Sequence, residues 1–134
     1  RGFILHDTFS GISYPFEKII IREELISDPF EVYAQLLYQG KLSLYAYRKV
    51  RKTRSEQDPG NRYMFYKFEK RDSYYFSDNG NTFPGFRTIS RRNVLKYFPD
   101  RKEHIKNLLK AGKSYRIKTE KDLIRFTEIV NGII

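Results

Sequence analysis

Hydrophobic and polar positions alternate on both sides of Gly40. Val32, Ala34, Leu36 and Tyr38 interleave with Tyr33, Gln35 and Leu37 before the break, and Leu42, Leu44 and Ala46 interleave with Ser43, Tyr45 and Tyr47 after it. A period of two marks strands with one buried face. The Gln39-Gly40 break puts a glycine where a tight turn demands positive φ, so an antiparallel hairpin of 32–38 with 41–49 is predicted. A helix is the rival for the first arm, because Phe30, Tyr33, Ala34 and Leu37 also fall at helical spacing after Asp28-Pro29. The second arm favours the hairpin, being rich in strand formers that need a paired neighbour.

Residues 51–61 have no periodicity and end in the turn formers Asp58-Pro59-Gly60-Asn61, which predicts a solvent-exposed, mobile loop. Two further strands are expected after it. Met64, Tyr66 and Phe68 alternate with Phe65, Lys67 and Glu69, and residues 73–77 form a short run closed by Asp78-Asn79-Gly80-Asn81. From Ser90 the period becomes helical. Ser90 caps a helix over 91–98, Pro99-Asp100 restarts the chain, and Ile105, Leu108 and Leu109 stripe a second helix that stops near Gly112. Thr119 with Asp122 reads as a capping box ahead of a third helix whose buried face carries Leu123, Phe126 and Val130. Strands first and helices last give an α+β fold: an antiparallel sheet with hairpins, then two to three C-terminal helices.

A length of 134 residues suits one domain, β-rich over 1–89 and helical over 90–134. With 40% hydrophobic residues, 11 Tyr and 11 Phe, the chain has enough apolar surface to offset its conformational entropy. The longest aliphatic cluster is 19–21, far short of the roughly 20 residues that cross a bilayer. The lack of cysteine excludes disulfides, cysteine-ligated zinc and thiol catalysis, and fits a cytosolic protein as well as an exported one.

The net charge of +10 is unevenly placed: residues 1–50 are neutral, and 51–100 and 101–134 each carry +5. Such an excess favours nucleic acid, acidic polysaccharide or phospholipid headgroups as partners, and also raises solubility. Eight of the eleven tyrosines lie in 30–76, and Tyr45, Tyr47, Arg48, Lys49, Arg51, Lys52 and Arg54 run almost together. Rings beside guanidinium groups are what single-stranded nucleic-acid binders use, and sugars lay their apolar faces on rings, so these seven are the candidate anionic-ligand site. The alternative is a half-exposed sheet whose tyrosines are strand formers and whose charges solubilise a loop. Lys102, Lys106, Lys110 and Lys113 recur along one flank of the helical tail as a second basic candidate.

Catalytic chemistry finds little support. His6-Asp7 would point to opposite faces of a strand, and Asp100 with His104 is a carboxylate–imidazole pair without a third ligand. Neighbouring carboxylates such as Glu23-Glu24 or Glu120 and Asp122 read as solvated charges or helix-start residues. No phosphate loop, dinucleotide fingerprint or nucleophile elbow is present. A site assembled in space around His6 or His104 is the least favoured reading, and neither cofactor nor metal is expected.

The order Gln39-Gly40-Lys41-Leu42-Ser43-Leu44-Tyr45, Tyr74-Tyr75, Phe98-Pro99-Asp100, Asp122-Leu123-Ile124 and Asn131 resembles uncharacterised Bacteroidetes proteins with a Gly-Lys-Val-Ser-Leu-Tyr hairpin and a basic helical tail. The likeness covers about two-thirds of the chain, from roughly residue 30 onward. Those proteins are commonly predicted to be exported and carry a signal peptide and a further β-rich N-terminal part, so the resemblance implies that this chain is the C-terminal part of a longer protein. It also implies a periplasmic or secreted setting, and a binding or scaffold role at the cell envelope. The other reading is a nucleic-acid-binding module that uses the same surface.

Overall fold

A computed structural model describes residues 2–6, 8, 11–21, 30–54, 66–111 and 116–134, with the backbone alone at 51, 53, 54, 66 and 67. Among these residues six strands follow one another in a single antiparallel sheet: β1 (Gly2–His6), β2 (Ser13–Ile21), β3 (Phe30–Tyr38), β4 (Leu42–Arg54), β5 (Tyr66–Asp78) and β6 (Asn81–Thr82). Three helices come after them among the described residues, α1 (Arg91–Leu95), α2 (Lys102–Ala111) and α3 (Glu120–Asn131), with a 3-10 turn (Pro99–Arg101) between the first two. The fold is α+β, with strands before helices.

The sheet curls. β1 pairs only with Ser13 to Glu17 of β2, and the second half of β2 comes against β6, where Ile20 lines a small pocket with Gly80, Asn81 and Thr82. Strand alternation then assigns two cores. One face buries Ile19, Ile21, Ala34, Tyr45 and Tyr75, with Phe30, Val32, Leu36 and Tyr47 packed around them. The other carries Leu42, Leu44, Ala46, Tyr74 and Phe76 against Val94, Leu95, Ile105, Leu109, Leu123, Phe126 and Val130 of the helices. Gly85, itself exposed, lies close against the Tyr75 ring of the first core, where a Cβ would collide.

The β3–β4 hairpin forms around Gln39-Gly40 as the alternation predicts. Gly40 does not adopt positive φ, however, so turn geometry is not what demands a glycine there. Close approach does: a Cβ would lie 2.5 Å from Asn131 Oδ1. That amide accepts from the Leu42 N–H at 2.9 Å and donates to the carbonyls of Leu42 and Thr127 at 2.8 Å each, tying the end of α3 to the hairpin. Left-handed backbone occurs instead at Gly11 (φ 69°) and at the β5–β6 turn, where Asn79 (φ 48°) and Gly80 (φ 83°) supply the two positive values that a tight hairpin needs.

Three other expectations need correction. Residues 51–54 continue β4 as strand rather than opening a loop; 55–61 lie outside the described residues. Met64 and Phe65 lie outside the described residues, and from Tyr66 onward the two expected strands are one, β5, paired in unbroken register with β4 from Leu42↔Asp78 to Arg54↔Tyr66. Periodicity fails there because the described side chains from 68 to 70 are exposed on both faces, so ladder bonding and charge placement replace apolar alternation: Arg48 stands opposite Asp72 and Arg51 opposite Glu69. Finally, α1 stops at Leu95 instead of 98, since Pro99 disfavours helical backbone at the preceding residue and Phe98 sits at φ −128°, ψ 59°.

The helix caps follow the sequence reading. Ser90 Oγ accepts from Asn93 N at 3.2 Å, and Thr119 and Asp122 exchange both bonds of a capping box. Val94, Ile105, Leu109, Leu123, Phe126 and Val130 are buried, and Leu108 is half-buried. Gly112 lies outside the described residues.

Candidate anion-binding ribbon

β3 pairs with β4 only between Gln35↔Ala46 and Tyr38↔Leu44, and Phe86 bridges to Tyr74. From Tyr47 and Ser73 outward to Arg54 and Tyr66, β4 and β5 have each other as their only strand neighbours among the described residues. Residues 47–54 and 66–73 therefore form a two-stranded ribbon of eight rungs, about 24 Å long at roughly 3.4 Å per residue. Between 49–54 and 66–71 the sequence places seven cations (Lys49, Arg51, Lys52, Arg54, Lys67, Lys70, Arg71) against one carboxylate, Glu69.

The fold divides the seven candidate residues by environment. Tyr45 is 8% exposed and its hydroxyl donates to Glu17 Oε2 at 2.7 Å; burial, then that carboxylate, push the phenol well above the usual tyrosine range. Its ring is buried in the core with Ile19, Ile21, Ala34 and Tyr75. Tyr47 is half-buried at the rim of the same core, with the Lys49 ammonium 5.4 Å from its ring centroid. Lys49 and Lys52 are exposed. Arg51 and Arg54 occupy ribbon rungs opposite Glu69 and Tyr66.

Arg48 is a clamp. Its Nη1 bonds Asp72 Oδ2 at 2.8 Å and Glu120 Oε2 at 2.7 Å, its Nη2 bonds Glu120 Oε1 at 2.7 Å, and both Nε and Nη2 reach Gln35 Oε1 at 3.1 and 3.0 Å. Tyr74 OH donates to Glu120 Oε2 at 2.9 Å. The guanidinium holds Glu120 below the usual carboxylate range, and Glu120 in turn raises Arg48. Burial, with Glu120 second, pushes the Tyr74 phenol up to about 12. Sequence reasoning misses these pairings. Asp72 follows from counting the β4–β5 register, but Glu120 comes from a distant helix and leaves no local signal.

A second aromatic–basic group lies elsewhere. Phe3 stacks on Phe16 at 4.9 Å and meets Tyr33 edge-on at 5.1 Å, and Lys18 sits 5.6 Å from the Tyr33 centroid and 3.5 Å from Glu31. Exposed rings are thus carried by β1 and β3, as Phe3 and Tyr33, and by Phe68 on the ribbon. Elsewhere, His6 is exposed, with Nδ1 2.8 Å from Ser13 Oγ, and His104 is exposed on α2; Asp7 is outside the described residues. Among the described residues no three His, Asp or Glu side chains converge as a metal site, and no helix is long and apolar enough to cross a membrane. On α2, Lys102 is exposed and Lys106 pairs with Glu103 at 3.7 Å; Lys113 lies outside the described residues. Compared with protein-family models, curated proteins and solved structures, the chain matches none.

Proposed function

We propose that this chain is a non-enzymatic binding module for an anionic polymer, with the β4–β5 ribbon as its contact arm. The single observation that carries the reading is the ribbon's charge: seven cations and one carboxylate on twelve residues of a two-stranded arm that no other strand joins among the described residues. Such a density of like charge costs stability through self-repulsion and is relieved when a polyanion binds. The sequence resemblance supplies the setting, a bacterial cell envelope, and the scaffold role that goes with it.

Retention on heparin tests the reading. Replacing Lys49, Arg51, Lys52 and Arg54 together with Ala should shift elution to clearly lower salt and leave the thermal midpoint nearly unchanged. Unaltered retention would overturn it.

A nucleic-acid ligand is the second reading, and one feature favours it: the major groove of B-DNA admits a two-stranded β-ribbon. Binding to a duplex and to a single strand, each measured across salt, separates it from heparin-type binding. On duplex DNA the slope of log K against log salt should become shallower by about 0.9 for each phosphate that the quadruple variant no longer neutralises. DNA affinity no greater than that for heparin at matched charge would leave the ribbon an electrostatic arm without nucleic-acid preference.

A further inference from the structure

We propose that the cleft at the root of the ribbon seats one phosphomonoester group. The inference rests on the reading of the ribbon as a polyanion-binding arm and specifies the group held at its base. The cleft is open, about 370 Å³ in volume, and lined by Lys70, Arg71, Asp72, Tyr74 and Arg87.

Its construction follows from strand geometry. Lys70, Asp72 and Tyr74 alternate along β5 and so share a face. Arg87 is carried to them because Phe86 exchanges both backbone hydrogen bonds with Tyr74, at 2.8 and 3.0 Å. The nearby carboxylates are already engaged: Asp72 and both oxygens of Glu120 are held by Arg48, and Tyr74 adds its hydroxyl to Glu120. Arg71 lies 3.6 Å from Glu69. Lys70 and Arg87 have no ion pair among the described residues. Two uncompensated cations on a concave surface concentrate positive potential there, and a guanidinium fork matches the paired oxygens of a tetrahedral anion.

Size and the lining carboxylate narrow the ligand. Pockets for whole small molecules span roughly 300–1,000 Å³, so this cleft suits one anionic group on a sugar-sized unit rather than a length of polymer. Asp72 meets a fully ionised sulfate as a like charge. A phosphomonoester, whose second proton leaves near pH ~6, still has a P–OH to donate to that carboxylate at mildly acidic pH. The chemistry therefore selects phosphate over sulfate.

Amide NMR titrations with inorganic phosphate and, separately, inorganic sulfate at pH ~6 and constant ionic strength test this. Saturable shifts confined to residues 70–74 and 86–87, with phosphate the tighter of the two, are expected. Lys70→Ala with Arg87→Ala should weaken phosphate binding by about tenfold or more, and because both side chains are exposed, an unchanged thermal melt checks the fold. Asp72→Asn should narrow the phosphate–sulfate difference. Shifts that never saturate, that spread evenly over all cationic residues, or that persist in the double variant overturn the site; equal response to sulfate overturns the phosphate assignment. The quadruple ribbon variant keeps the two readings separable. Heparin retention that ignores the ribbon substitutions, while phosphate shifts remain confined to the cleft, removes the polyanion arm and leaves the cleft standing.

Discussion

Arg48 and Glu120 stand 72 residues apart in the chain and meet through two hydrogen bonds of 2.7 Å, one to each carboxylate oxygen. This bidentate pair fastens the first turn of α3 to the root of the ribbon, with Asp72 on the same guanidinium. Here the basic run of β4 serves the fold.

Removing Arg48 should therefore cost stability, unlike removing its neighbours. About a third of each partner side chain remains exposed, so solvent screens the pair and the full cost of a buried ion pair does not apply. Arg48→Ala is expected to lower the unfolding free energy by about 1–2 kcal/mol in urea titration, through the loss of charged hydrogen bonds and two carboxylates left facing each other. A loss below about 0.5 kcal/mol, the level of an ordinary surface site, would show that the clamp is ornamental to stability.

The same pair gives the protein an acid-side signature. Glu120 is held below its unfolded value, first by Arg48, so its contribution is present above the unfolded carboxylate pKa, near ~4.3, and is lost as pH falls through the lower folded value. The stability difference between wild type and Glu120→Gln should then shrink as the solution is acidified through that window. On the alkaline side Tyr74, raised to about 12, stabilises below the unfolded tyrosine value of ~10 and ceases to do so as pH rises through the folded value. Spectroscopic titration should show one tyrosine near that value that moves down when Glu120 is Gln. A pH-independent difference between the two proteins would argue against both assignments.

Much of this fold is legible in the chain. Wherever a face is buried, the period survives: 32–38 against 42–46, the Ser90 and Thr119 caps, and the stripes of α2 and α3 all follow from apolar spacing and cap chemistry. Legibility ends along 49–54 and 66–70, where the described side chains are exposed, no buried stripe marks the strand and a polar strand looks like a loop. Tyr45 misleads for the opposite reason. Its neighbours in sequence are basic, yet strand parity turns its ring inward to Glu17, and Arg48 is consumed by Glu120, a residue no local pattern can connect to it.

Gly40 should tolerate no side chain, for a reason distinct from turn geometry. A Cβ would meet Asn131 Oδ1 at 2.5 Å, so Gly40→Ala must displace the amide that bridges Leu42 and Thr127. A loss of about 1–3 kcal/mol is expected, the cost of stranding partly buried backbone groups. Because the damage runs through Asn131, Gly40→Ala and Asn131→Ala should be strongly non-additive in a double-mutant cycle. Additive losses would place the strain in the turn itself.

Phe68 provides the sharpest division between ligand classes. It is 70% exposed on the ribbon, on the rung opposite Lys52, with Val50, 65% exposed, one rung-pair along on the same face. A ring so exposed contributes little packing, so Phe68→Ala should change stability by no more than about 0.5 kcal/mol. Stacking of a nucleobase on an aromatic side chain is worth roughly 1–3 kcal/mol, whereas the unstacked sulfated sugars of heparin are held chiefly by charge. If a single strand runs along the arm, Phe68→Ala should weaken its binding by about 5-fold or more while leaving heparin elution and the salt slope in place, since no cation is removed. Equal losses on both ligands would make the ring a general spacer that orients the neighbouring cations. No loss on either would assign the ribbon's affinity to charge alone, and would move any base-stacking role to the Phe3, Phe16 and Tyr33 group on the far strands, where Tyr33→Ala is the corresponding variant.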